Sequence, residues 1–89
     1  SASTAAKLKS HPVIIRESVR FIAEQDSLNA AMLAPDASAD APEFQLFVKE
    51  VVREMTVKAG QKCTAIRRAL VPAALLPAAE KAIAEALAK

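Results

Sequence analysis

The sequence predicts an α/β chain whose elements run α-β-β-α-β-α, a layered sheet with flanking helices. Three observations carry that prediction. Between Phe44 and Met55 the apolar residues recur at helical spacing. Short apolar, strand-like segments flank that run, at Leu28 to Leu33 and at Ala65 to Val71. Pro72 and Pro77 then bracket the start of an alanine-rich terminal run with an apolar stripe of its own.

The elements follow in order. Ser3 to Lys9 is expected to form a short helix opened by the hydroxyls of Ser3 and Thr4, which can accept bonds from the unpaired first N–H groups. His11-Pro12 should end it, because a residue before proline is pushed out of the helical region. Val13 to Ala23 mixes β-branched and charged residues and is most strand-like from Ser18 to Ala23. The polar stretch Glu24-Gln25-Asp26-Ser27 separates it from a second strand, Leu28 to Leu33, and Ala34 to Ser38 is a loop. The central helix has Asp40 as expected N-cap, Pro42 in its first turn and Glu43 as capping-box acid. Its apolar face is Phe44, Phe47, Val48, Val51, Val52 and Met55; Gln45, Lys49, Glu50, Arg53 and Glu54 fall opposite. Gly60 stops the pattern. Ala65 to Val71 reads as a strand, and Leu76, Ile83 and Leu87 mark the core side of the last helix.

Composition narrows the function classes. With 89 residues the chain makes at most one small domain, and 53% hydrophobic residues are too many for disorder and rather many for a free-standing one. Twelve basic and ten acidic residues, interspersed, leave a net charge of +2. There is no basic stripe with interleaved aromatics, so nucleic-acid binding is unsupported. The single cysteine rules out an intrachain disulfide and fits a reducing compartment. No apolar stretch approaches the ~20 residues of a membrane span, and no signal peptide is visible. The expected setting is soluble and cytoplasmic.

Gly60-Gln61-Lys62-Cys63-Thr64 holds the only glycine and the only cysteine. A flexible residue just ahead of a lone thiol suggests a turn presenting a nucleophile, with a strand behind it. The thiolate is the attacking form, and Lys62, Arg67 and Arg68 are close enough in sequence to favour an anion. A buried, inert cysteine is the competing reading.

The run Gly60 to Arg68 resembles the catalytic-cysteine segment of the aldehyde dehydrogenase superfamily. The resemblance extends over essentially the whole chain, from Ser1-Ala2-Ser3-Thr4-Ala5 through Ser18 to Phe21 and the central helix to Arg67-Arg68-Ala69-Leu70-Val71-Pro72. The string Gln25-Asp26-Ser27-Leu28-Asn29 is similar to one subfamily, the dehydrogenase domains of bifunctional phenylacetic acid degradation proteins, where a dehydrogenase is joined to an oxepin-CoA hydrolase domain. Most other members place Leu-Gly-Gly after their glutamate; this chain does not.

The resemblance implies a fragment of the aldehyde dehydrogenase catalytic domain, with residues 1–89 as one partial domain. It implies NADP or NAD as cofactor, an aldehyde substrate (a CoA-linked semialdehyde) and a homo-oligomeric parent. Cys63 matches the nucleophile and Glu24 the base that activates the hydrolytic water. Phe21, Ile22 and Ala23 are the apolar neighbours expected to enclose Glu24 partly. Ser1 matches the serine of the cofactor turn, where its hydroxyl and the first N–H groups of the following helix would meet a pyrophosphate. Asn29 does not match the family's oxyanion asparagine and is read as satisfying backbone groups. His11 has no partners at metal-ligand spacing, and no metal is expected. Arg67 and Arg68, adjacent in a strand, should point to opposite sides. Two other function classes remain beside the dehydrogenase: a thiol redox module with an exposed cysteine, and a non-catalytic α/β interaction module with a buried one. The isolated chain is expected to be inactive.

Overall fold

A computed structural model describes all residues, Ser1 to Lys89. Its centre is a strand-helix-strand unit. β1 (Ala30–Met32) and β2 (Arg68–Leu70) pair in parallel, in the register Ala30 with Arg68, Ala31 with Ala69 and Met32 with Leu70. Parallel strands need a long crossover, and α1 and α2 lie ahead of this unit: α1 spans Ala2–Lys9 and α2 Pro12–Arg16. The crossover is α3 (Pro42–Thr56), and the chain closes with α4 (Leu76–Leu87) after a 3-10 turn at Ala73–Leu75.

Burial follows the periodicity of α3. Phe44, Phe47, Val48 and Val51 turn inward and meet Leu33 from the β1 end and Ala79 from α4. Burying each large side chain of this set contributes about 1.5–3 kcal/mol. In β1 Ala31 is half-buried and Leu33 beyond it is buried, whereas Met32 between them is 73% exposed. That alternation is the pleat at work: one side of β1 turns toward the core under α3, while β2 is exposed along its length.

Several expectations change. Val13 to Ala23 was expected to be a strand; instead Pro12 opens α2, where its missing N–H costs nothing, and His11 caps it by accepting the Val13 N–H at Nδ1 (3.3 Å). Ser18 takes a left-handed φ of 50° directly after α2, and Ser18 to Ala23 joins no ladder. The observed order is therefore α-α-β-α-β-α. The N-cap of α1 is Ser1, two residues earlier than expected. Helix α3 begins at Pro42, so Ala41 takes the N-cap position and Asp40 does not cap; Glu43 still favours the first turn through the helix dipole.

Two core assignments shift as well. Met55 is 48% exposed, while Glu54, expected on the polar face, is only 7% exposed. Arg53 donates to its Oε1 at 3.1 Å, the Lys62 ammonium lies 3.8 Å away, and Oε2 has no partner. In α4 the inward side is alanine: Ala79 is 1% exposed and Ala82, Ile83 and Ala86 pack beside it, whereas Leu76 and Leu87 remain exposed. Small side chains let α4 lie close on α3, and the leucines fall off that line.

The molecule is elongated, 59 × 28 × 17 Å, with a radius of gyration of 18.8 Å. A closed domain of this length would have about 12 Å. No helix is long and apolar enough to cross a membrane.

Candidate active site

The thiol sits on a loop fixed at both ends. After α3 the chain makes a tight 3-10 turn, Val57–Gly60, in which Lys58, Ala59 and Gly60 take left-handed φ values of 51°, 53° and 71°. Only glycine adopts that region freely; each other residue there costs about 1–2 kcal/mol. Gln61 N–H closes the turn on Lys58 O at 3.0 Å, and Ala65 N–H on Lys62 O at 3.0 Å. The Arg67 guanidinium reaches back to Gly60 O at 2.9 Å, so one side chain staples the loop. Cys63, between these ties, is exposed. Its N–H makes no hydrogen bond within the chain.

The opposite wall is the stretch before β1. Glu24, Gln25, Asp26, Ser27 and Asn29 face Gln61, Lys62, Cys63, Thr64 and Arg67 across an open cleft of about 500 Å³. Glu24 and Cys63, 39 positions apart, thus border the same space. Formal charge in the cleft balances, with Glu24 and Asp26 against Lys62 and Arg67. Arg68 does not line it: β2 begins there, whereas Arg67 lies just ahead of the strand and borders the cleft.

Asn29 joins the two walls. Its Nδ2 donates to Ser27 Oγ (2.7 Å) and Cys63 O (2.8 Å), with Ala65 O at 3.4 Å. Its backbone carbonyl accepts from Arg67 N–H at 2.8 Å and Arg68 N–H at 3.2 Å.

Ser1 lies in a neighbouring hollow of about 250 Å³ that it shares with Thr4, Phe21 and Glu24. The Ser1 hydroxyl contacts Ser3 Oγ (3.1 Å) and Thr4 Oγ1 (3.0 Å) and accepts the Thr4 N–H at 3.4 Å. Glu24 and Gln25 border both this hollow and the thiol cleft. The expected apolar enclosure of Glu24 is incomplete, because Ile22, Ala23 and Glu24 are exposed and only Phe21 is half-buried. The exposure of Cys63 also runs against the buried, inert cysteine of an interaction module.

Sequence reasoning missed the staple from Arg67 and the burial of Glu54; it read Asn29 as satisfying backbone groups, which it does, but not that those groups lie on the opposite wall. For Asn29 the signal was present: an amide at the foot of a strand, five residues after the candidate base. Its partners lie 34 and 36 positions away and only the parallel pairing brings them near.

Cysteine and carboxylate on one cleft, beside a helix N-terminus, is an arrangement suited to thiol-mediated carbonyl chemistry. The profile of the Aldehyde dehydrogenase family matches residues 1–89, and the chain belongs to that family. It is 56% identical over 88 residues to a 3,4-dehydroadipyl-CoA semialdehyde dehydrogenase of Aromatoleum evansii. The match takes in 99% of this chain and 17% of that protein, so the chain spans about a sixth of its relative's length.

Proposed function

We propose that residues 1–89 are the part of an NAD(P)-dependent aldehyde dehydrogenase that carries its nucleophile, Cys63, and its base, Glu24. The supporting observation is that the two side chains border one cleft although they come from distant segments. The substrate is a CoA-linked semialdehyde, by analogy with the named activity of the relative. Its setting is aromatic-acid catabolism in the cytoplasm, within a bifunctional, homo-oligomeric parent that also bears a hydrolase domain.

In this reading the Cys63 thiolate adds to the aldehyde carbon and forms a thiohemiacetal. The unengaged Cys63 N–H is free to stabilise the developing oxyanion. A nicotinamide cofactor, when bound, would supply the hydride acceptor that oxidation of the Cys63 adduct to the thioester level requires. Glu24 takes a proton from water, the hydroxide attacks the thioester carbon, and the acid leaves as the Cys63 thiolate is expelled. The start of α1 fits a pyrophosphate: Ser1, Ser3 and Thr4 cluster their hydroxyls there, and the first turn holds no acidic residue. Ser1 and the first N–H groups of α1 would hold it.

The test is made in the full-length protein. Cys63→Ala should abolish oxidation. Glu24→Gln should still form one equivalent of reduced cofactor per site and then stall, with steady-state turnover down roughly 10²–10⁴-fold. Normal turnover in Cys63→Ala would overturn the proposal.

A further inference from the structure

We infer that Asn29 is a positioning residue that sets the gap between the base and the nucleophile. The inference rests on the roles proposed for Glu24 and Cys63, and it concerns how far apart they are held.

Asn29 touches both walls of the cleft through one nitrogen. Ser27 Oγ, at 2.7 Å, belongs to the wall that carries Glu24, three residues away; Cys63 O, at 2.8 Å, belongs to the nucleophile itself. Two of the three groups around the amide are carbonyl oxygens, which only accept, so the nitrogen and not the oxygen of the amide must face them. An amide nitrogen has two hydrogens. The two short contacts use both, and Ala65 O at 3.4 Å takes a weaker share. The backbone carbonyl of Asn29 holds the same loop from below, by way of Arg67 and Arg68. The turn bond from Ala65 N–H to Lys62 O and the Arg67 staple shape this loop, but Asn29 makes the side-chain bond to the backbone of Cys63 and so ties the exposed thiol's peptide to the opposite wall.

Such a tie affects the two half-reactions differently. Attack by Cys63 on a carbonyl needs the thiol and an open approach. Hydrolysis of the thioester needs water held between Glu24 and the Cys63 sulfur, so it depends on the width of the cleft. A shift of about 1 Å in such a distance can cost on the order of a hundredfold.

p-Nitrophenyl acetate separates the steps, because it acylates a reactive thiol, releases p-nitrophenolate and needs no nicotinamide. In the full-length protein the burst reports acylation of Cys63 and the steady state reports hydrolysis. Asn29→Ala should keep a burst and lower the steady-state rate per burst site roughly ten- to a hundredfold. Asn29→Asp keeps the shape but turns a carboxylate oxygen toward two carbonyl oxygens, and should lower that ratio at least as far. Loss of folded protein lowers burst and steady state together and leaves the ratio unchanged, so a purely structural role gives a constant ratio. A constant ratio in both variants, or a burst lost in both, overturns the inference. Parallel Cys63→Ala and Glu24→Gln proteins keep the two levels apart. A burst surviving in Cys63→Ala, or undiminished hydrolysis in Glu24→Gln, defeats the assigned roles themselves.

Discussion

Gly60→Ala and Ala59→Gly are opposite perturbations of the same turn. Gly60 has φ +71°, and a Cβ built there meets Met55 O at 3.4 Å and Glu54 O at 4.0 Å, ordinary contact distances. The cost of alanine is therefore conformational rather than steric, about 1–2 kcal/mol for a left-handed residue. Ala59, at φ 53°, already bears such a cost. Glycine there would relieve it, while the freer unfolded chain takes back about 0.5–1 kcal/mol. The two variants should thus move the cysteine loop's stability in opposite directions. Amide hydrogen exchange in the full-length protein reads this locally, at the bonded N–H groups of Gln61 and Ala65. One to two kcal/mol corresponds to roughly five- to thirtyfold in an opening equilibrium. Gly60→Ala should speed exchange by that factor. Ala59→Gly should leave it unchanged or slow it by up to about tenfold. If Gly60→Ala has no effect on Gln61, or Ala59→Gly accelerates it, the left-handed turn does not hold the thiol loop.

Arg67→Met removes the bond to Gly60 O; it should loosen the same amides by about 1 kcal/mol, and unaltered exchange would show that the staple contributes nothing. Ala79→Leu forces a larger side chain between α3 and α4 at a position 1% exposed; a loss of about 1–3 kcal/mol in denaturant unfolding is expected, and a neutral result would mean that the helices are not in close contact. The isolated 89-residue chain leaves thirteen large apolar side chains exposed, from Leu8 to Leu87, against eight buried residues. It should self-associate, which light scattering checks; a strict monomer at high concentration would count against that.

Local rules made some of the structure legible. Helical spacing from Phe44 to Val51 placed α3 and its inward face, because a 3.6-residue repeat has one natural partner surface. The glycine and cysteine three residues apart marked the loop, since positive φ and a lone thiol each leave a signature. Other features were hidden for reasons that can be named. Val13 to Ala23 has strand-like composition, yet β-propensity counts only when a neighbouring strand is present to pair with, and here none lies alongside. Proline as a first-turn residue won at Pro12. Glu54 follows the polar face in sequence, but the returning loop with Lys62 covers it. Leu76 and Leu87 outweigh alanine in hydrophobicity, yet closeness of approach selected Ala79.

The sequence by itself placed a single thiol after a turn, a carboxylate in a polar break and a helix between two strand segments; the chemistry proposed for the thiol and the carboxylate rests on the family resemblance. Tertiary structure decided that these meet. Parallel pairing of β1 with β2 carries Asn29 to the backbone of Cys63 and brings the Glu24 wall opposite the thiol. Such long-range register depends on packing and loop closure across more than thirty residues, which no local spacing records.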